Sequence, residues 1–194
     1  VLRQAPLFSG LDDEAADSLG SQMSATRLRR GEALFHEGDE GDRLYIVTDG
    51  KIKLGRSSAD GRENLLAILG PGQMFGELSL FDPGPRSATA TAVTDSELNS
   101  LGHEELTKWL NDHPNVSRAL LHQLASRLRR TNDVVADLVF SDVPGRVAKA
   151  LIDLSQRFGR KADDGIHVHH DLTQEELAQL VGASRETVNK ALAD

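Results

Sequence analysis

One run of residues has the types and spacing to hold an anion beside a pair of hydroxyls. It reads Gly70-Pro-Gly-Gln-Met-Phe-Gly76-Glu77-Leu78-Ser79-Leu-Phe-Asp-Pro-Gly-Pro-Arg86-Ser87-Ala. Gly76 removes a side chain where a short helix can begin, and the free N–H groups of a helix start attract anions. Arg86 supplies a planar fork suited to bidentate phosphate contact. Ser87 adds a hydroxyl, and Glu77 is an acceptor able to take a pair of sugar hydroxyls. Anion donors beside a carboxylate suit a sugar phosphate better than a bare anion. The same residues also make a Gly/Pro-rich turn carrying a surface Glu–Arg pair, and composition alone does not decide between the two.

A second constellation lies near the C-terminal end. Thr173-Gln-Glu-Glu176 has the form of a capping box, in which the Thr hydroxyl caps a helix start and the Glu reaches back. Leu177, Ala178 and Leu180 follow, then Gly182 as a turn residue and Ser184 as the next cap. Ala178, Gly182 and Val188 have helix-turn-helix spacing: a small residue where helices touch, a positive-φ turn and an apolar anchor. An ordinary helical hairpin has the same pattern.

The elements that must position these residues can be read from texture. The chain has 194 residues, 39% of them hydrophobic, 27% charged and only 4% aromatic, so an aliphatic core is expected. It has no cysteine, which excludes disulfides, thiolate metal sites, cysteine-held clusters and thiol catalysis. No apolar run reaches membrane-spanning length and the first residues carry no signal-peptide pattern, so a cytoplasmic protein is expected. The length allows one large domain or two small ones. A helix is expected over 9–23. From 25 to 101 glycines punctuate short strands such as Leu44-Tyr-Ile-Val-Thr and Ser87-Ala-Thr-Ala-Thr-Ala-Val-Thr, which suggests an antiparallel barrel or jelly roll. Asp49-Gly50 reads as the turn of a hairpin whose second arm is Lys51-Ile-Lys-Leu.

From 102 onward the pattern is helical. Leu121, Leu124, Leu128, Thr131, Val135 and Leu138 form a heptad seam along 115–140. The seam reads as a parallel dimer interface, with packing on the chain's own barrel as the alternative. Asp142 and Pro144 start the next helix, which runs to about Phe158-Gly159, and the domain boundary falls near 141. Lys161–Asp171 reads as loop plus a short strand, Ile166-His-Val-His.

The net charge is −8. Residues 1–110 hold 11 basic and 18 acidic residues, 111–141 hold 4 and 3, and 142–194 hold 7 and 9. The acidity sits mainly in the N-terminal half, and local sign decides a binding face.

The run around 70–88 resembles the phosphate-binding cassette of the cyclic AMP receptor protein/FNR superfamily, most of all its actinobacterial members. Gly76-Glu77-Leu-Ser and Arg86-Ser87-Ala carry the pattern, and Asp39-Glu-Gly-Asp-Arg-Leu-Tyr-Ile-Val and Gly61-Arg-Glu-Asn-Leu-Leu fit the same barrel. The resemblance extends over essentially the whole chain. It implies an α+β protein: an N-terminal antiparallel β-barrel or jelly roll with flanking helices, a long dimerisation helix and a C-terminal winged helix-turn-helix. The wing is expected beyond Asp194. The implied divisions are 1–110, 111–140 and 141–194.

The implied effector is cyclic AMP, with Glu77 on the ribose 2′-hydroxyl and Arg86 and Ser87 on the phosphate. Gly76 and Leu78 offer backbone contacts, with Ser79 beside them. Thr131 and Asn132, one from each subunit, are expected at the adenine edge. Gly182-Ala-Ser-Arg-Glu-Thr-Val-Asn-Lys resembles the family's recognition helix. Arg185, Glu186 and Lys190 are then expected on bases, and Thr173, Ser184 and Thr187 on phosphates. The implied partners are a two-fold operator in double-stranded DNA, a second copy of the chain and RNA polymerase, with no membrane. The implied role is a transcription regulator and not an enzyme.

In the cluster His167, His169 and His170, residues 167 and 169 share a strand face, but no nearby third ligand is implied and a solvated hairpin explains it; the barrel region holds only His36 and His103, which leaves a cupin-type metal site poorly supplied. Arg127, Arg129 and Arg130 form a basic run that could meet DNA or an anion, with a solvated helix face as the favoured reading.

Overall fold

The structure, a computed structural model, describes residues 13–58, 60–82 and 84–193. The described residues fall into two compact units. One comprises residues up to 56 together with 68–128, the other 57–67 together with 129–194.

The described residues begin with α1 (Asp13–Gln22), within the helix expected over 9–23; residues 9–12 lie outside the described residues. Eight short strands follow: β1 (Ser24–Leu28), β2 (Ala33–Phe35), β3 (Arg43–Asp49), β4 (Ile52–Ser57), β5 (Glu63–Leu69), β6 (Met74–Phe75), β7 (Thr89–Ala92) and β8 (Ser96–Gly102). A single helical turn, α2 (Leu78–Phe81), sits between β6 and β7. The strands form two four-stranded sheets, ordered β1-β8-β3-β6 and β2-β7-β4-β5.

Two expectations change here. The double-sheet form of the expected fold is the one observed; among the described residues no ladder closes the sheets into a barrel. The Asp49-Gly50 turn does not make a hairpin ladder either, because β3 and β4 belong to different sheets. The turn carries the chain across the core. Gly50 has φ +80°, and a Cβ there would sit 2.4 Å from the Asp95 carbonyl oxygen. Beyond it, the Lys51 N–H donates to the Thr94 and Ser96 hydroxyls at 3.0 and 3.1 Å, not to a neighbouring arm.

The core of the first unit is aliphatic, as the scarcity of aromatics requires. Leu19, Leu44, Ile46, Met74, Leu101 and Leu106 are buried together with Trp109 and Leu120. They bring together α1, the first sheet, α3 (His103–Asp112) and the start of α4 (Pro114–Phe140). Leu124 packs against this core, so the heptad seam divides. Leu121 and Leu128 point outward, 67% and 62% exposed, and further along the helix Val135, Leu138 and Phe140 are exposed as well.

In the second unit, α5 (Val143–Phe158) starts as expected. The Asp142 carboxylate accepts from the Gly145 N–H at 2.9 Å, and Pro144 occupies the first turn, where its missing N–H costs nothing. β9 (Gly159–Ala162) pairs antiparallel with β10 (Gly165–Val168), so Lys161 and Ala162 lie in a strand where a loop was expected. Two helices follow, α6 (Gln174–Val181) and α7 (Arg185–Ala193). Val147, Leu154, Leu177, Ala178, Val181 and Val188 form the buried centre.

Arg146, near the start of α5, donates to three carbonyls: Ser141 O at 2.8 Å, Val181 O at 3.0 Å and Gly182 O at 3.3 Å. Beside it, the Asp137 carboxylate accepts from Lys149 and from the Ser141 hydroxyl. The Lys149 hydrogen bond, with help from Ser141 and the charge of Arg146, holds the Asp137 carboxyl below its usual 3.8. A depressed carboxyl stabilises the fold above its unfolded pKa, and that contribution disappears as pH falls through the folded value. Asp137→Asn is therefore expected to lower the melting temperature at pH 6, with the gap to the native protein closing as pH drops below about 3.8. A gap that stays constant in a melting series from pH 6 to pH 3 would count against the ion pair as its cause. No helix among the described residues is long and apolar enough to cross a membrane.

Candidate functional site

The Gly-rich run is positioned by backbone hydrogen bonds before any side chain acts. Gly72 turns at φ +84°, donates to Val47 O at 2.8 Å and delivers β6 to the edge of the first sheet. Gly76 turns again at φ +80° and places Glu77 at the head of α2. Arg86 arrives from the other side. Its N–H donates to Asp39 O at 2.7 Å, and its carbonyl accepts from Gly38 N at 2.9 Å.

The two charged side chains that this brings together are buried in an unusual way. Glu77 is 0% exposed and Arg86 is 4% exposed. Arg86 Nη1 donates to Gly76 O and Nη2 to Arg43 O, both at 2.9 Å. Its guanidinium carbon lies 4.3 Å above the Phe35 ring, a cation–π arrangement. Burial pushes the Arg86 guanidinium below its ordinary value, while Tyr45, Asp42, Glu77 and Asp39 act in the opposite direction. Glu77 Oε1 accepts from Arg127 Nη1 at 2.9 Å. That leaves Glu77 Oε2 and Arg86 Nε, each sealed from solvent and without a hydrogen-bond partner. A buried polar atom left unpaired costs about 1–3 kcal/mol, more when charged. One is an acceptor and the other a donor, and both residues line the same cleft.

Gly76, Glu77, Leu78, Ser79, Arg86 and Ser87 all line one cleft with about 320 Å³ of empty space, part of it open to solvent. Ser79 is buried; Leu78 and Ser87 are exposed. Phe35, Leu54, Ala88 and Arg127 complete the lining and were not anticipated. Arg127 belongs to the basic run read as a solvated face, and here it is the counter-ion of a buried carboxylate. Gly41 was also missed: a Cβ there would sit 2.5 Å from Ser79 Oγ and 3.0 Å from the Arg86 guanidinium carbon. Thr131 and Asn132 follow on α4, both exposed, and belong to the second unit.

Gly76→Ala should be among the most damaging single-atom additions. A left-handed backbone costs a residue with a Cβ about 1–2 kcal/mol. The new carbon would also stand 2.7 Å from Arg86 Nη1 and 2.9 Å from Arg43 O. A lowered melting temperature together with weakened ligand binding is expected. An unchanged melt would show that the turn accommodates the methyl group.

The second constellation forms the expected pair of helices. Thr173 caps α6, its Oγ1 accepting from Glu176 N at 3.1 Å while Glu176 Oε2 accepts from Thr173 N at 2.8 Å. Gly182 ends α6 in the left-handed conformation at φ +70°. The Ser184 hydroxyl accepts from Thr187 N at 3.2 Å at the head of α7. Val188 is 0% exposed against α6, and Arg185, Glu186, Thr187 and Lys190 are exposed. His167 pairs with Asp164 at 2.8 Å, and no group of metal-ligating residues gathers among the described residues.

Comparison with known proteins agrees with both halves. Residues 25–113 match the cyclic nucleotide-binding domain family, and residues 145–194 match the Crp-like helix-turn-helix domain family. This is the class of protein in which a nucleotide-type sensor domain precedes a helix-turn-helix. The chain belongs to the cyclic AMP receptor protein (CRP) family of transcriptional regulators, and not to an enzyme family. It is 55% identical over all 194 residues to the CRP-like cAMP-activated global transcriptional regulator of Mycobacterium tuberculosis, spanning 87% of that protein. Among solved structures, the catabolite activator protein of Thermus thermophilus is 38% identical with a TM-score of 0.64, the match covering 97% of this chain and 85% of that one. The c-di-GMP responsive global regulator CLP of Xanthomonas campestris is 28% identical with a TM-score of 0.78, covering 94% of this chain and 90% of that one.

Proposed function

We propose that the chain is a cyclic AMP-responsive regulator that binds specific DNA sequences as a homodimer. The observation that carries this reading is a buried carboxylate and a buried guanidinium, Glu77 and Arg86, lining one cleft, each with one atom, Oε2 and Nε, that has no hydrogen-bond partner. A cyclised nucleotide offers the complement: a ribose hydroxyl to donate to Glu77 and phosphate oxygens to accept from Arg86 and Ser87. Backbone N–H groups at Gly76 and Leu78 and the Ser79 hydroxyl supplement them. The name of the Mycobacterium tuberculosis relative supports cyclic AMP as the nucleotide.

In this reading residues 1–110 are the sensor, 111–140 the dimerisation helix and 141–194 the DNA-binding domain. Thr131 and Asn132, one from each protomer, meet the adenine edge, where an Asn can both donate and accept. Thr173, Ser184 and Thr187 take DNA phosphates, and Arg185, Glu186 and Lys190 read base edges in a two-fold operator. RNA polymerase is the further partner and the cytoplasm the location. Cyclic AMP regulates only by favouring the DNA-competent arrangement over the other.

Calorimetric titration with cyclic AMP, cyclic GMP and cyclic di-GMP, paired with DNA-shift assays on the full-length protein, tests the reading. Cyclic AMP should bind saturably, at one nucleotide per protomer, and tighten binding to a selected two-fold duplex. DNA binding indifferent to every nucleotide would overturn the responsive half, and no saturable nucleotide binding would overturn the sensor assignment.

A further inference from the structure

One side-chain oxygen ties the two helices of the DNA-binding motif together. Gln174 Oε1, at the start of α6, accepts from Arg185 Nη2 at 3.2 Å and from Asn189 Nδ2 at 3.3 Å, both on α7. Arg185 and Asn189 are one turn apart and share a face of α7. Asn189 is half-buried, and its Oδ1 is shielded from solvent without a hydrogen-bond partner. Its amide presents the nitrogen to Gln174. Arg185, at the head of the same helix, is exposed.

We propose that Gln174 and Asn189 are positioning residues for Arg185, holding its guanidinium in the orientation from which it reads a base pair. The proposal rests on the assignment of Arg185 as a base-reading residue and deepens it. A guanidinium has five N–H donors. Gln174 engages one of them on Nη2, which leaves a two-pronged edge for guanine O6 and N7. A free arginine loses rotamer freedom when it docks on a base; one already held has less to lose. The benefit appears only where the matching base is present. Gln174 therefore acts on discrimination, and the phosphate-driven part of affinity is left alone.

The experiment uses the full-length dimer saturated with cyclic AMP and a two-fold duplex selected from a randomised pool. Affinities are measured for that duplex, for variants changed at each base pair and for an unrelated duplex, across a salt series. Gln174→Ala is expected to bind the selected duplex roughly three- to ten-fold more weakly, within the range for a contacting pair. It should bind unchanged where the base pair sensed by Arg185→Ala is already altered, with the same salt slope and melting temperature. In an Arg185→Ala background the Gln174 change should do nothing. Gln174→Glu, which keeps the accepting oxygen, should preserve discrimination at that base pair.

Equal losses on every duplex, or the same loss in the Arg185→Ala background, would overturn the proposal, since Gln174 would then act on the fold or on phosphate directly. If Arg185→Ala leaves every base preference intact, the base-reading assignment fails and the proposal falls with it. Those two results are distinguishable from each other.

Discussion

Arg86→Ala is expected to weaken cyclic AMP binding by about two orders of magnitude or more. Losing one partner of a desolvated charge contact costs about 2–5 kcal/mol, and 1.4 kcal/mol is a factor of ten. The loss should exceed that of a surface arginine because this guanidinium is pre-set. Two backbone carbonyls hold it at 2.9 Å and Phe35 supports it from one side, so little ordering remains when a phosphate arrives. Truncation also leaves Gly76 O and Arg43 O without the donor that each now has. Arg86→Lys retains the charge but has no planar fork to serve two carbonyls and a phosphate together, so it should recover only part of the affinity. Calorimetry beside a thermal melt separates the two effects. A dissociation constant within three-fold of the native value, in a folded protein, would remove Arg86 from the ligand site.

The second large effect is expected at Leu128. It is 62% exposed in the protomer, so a charge there disturbs no core within the chain. In a two-fold pairing along α4, Leu128→Asp sets two carboxylates into one apolar seam. The dimer dissociation constant should rise at least about a hundred-fold, the equivalent of roughly 3 kcal/mol. Operator affinity should collapse with it, while the monomer still melts cooperatively. Sedimentation at several concentrations reads the first and a DNA-shift titration the second. A variant that remains dimeric would move the interface off this face of the helix.

What could be read from the sequence is mostly what short-range hydrogen bonding dictates. The Asp142 cap, the Thr173–Glu176 box, the Gly182 turn and the Ser184 cap each depend on residues at most four apart. The run from Gly76 to Ser87 is longer, and it was legible because its residues match a family's cassette rather than through local hydrogen bonding. What escaped depends on distant burial. Nothing near Glu77 in the chain reveals that it is sealed from water and needs a cation, so Arg127, fifty positions on, read as solvated surface. Asp49-Gly50 makes an equally good turn whether the next strand pairs with the last or crosses to the opposite sheet. Asp95 and Ser96, at the head of β8, crowd Gly50 there, and they are distant in sequence. β9 reads Gly-Arg-Lys-Ala, with no alternation of its own; the strand exists because β10 offers it a ladder. Leu124 has the same seam spacing as Leu128, and only the position of the first unit's core turns one inward and leaves the other outside.

The three carbonyls gathered by Arg146 have a practical meaning for anyone moving this reading head onto another sensor. Ser141 contributes one of them and the corner between α6 and α7 contributes the other two. A splice placed between residues 141 and 146 would leave the guanidinium with part of its grip and slack in the coupling. A splice placed at Phe140 carries all three of Arg146's hydrogen bonds along, and one placed before Asp137 also keeps the carboxylate that holds Ser141 and Lys149.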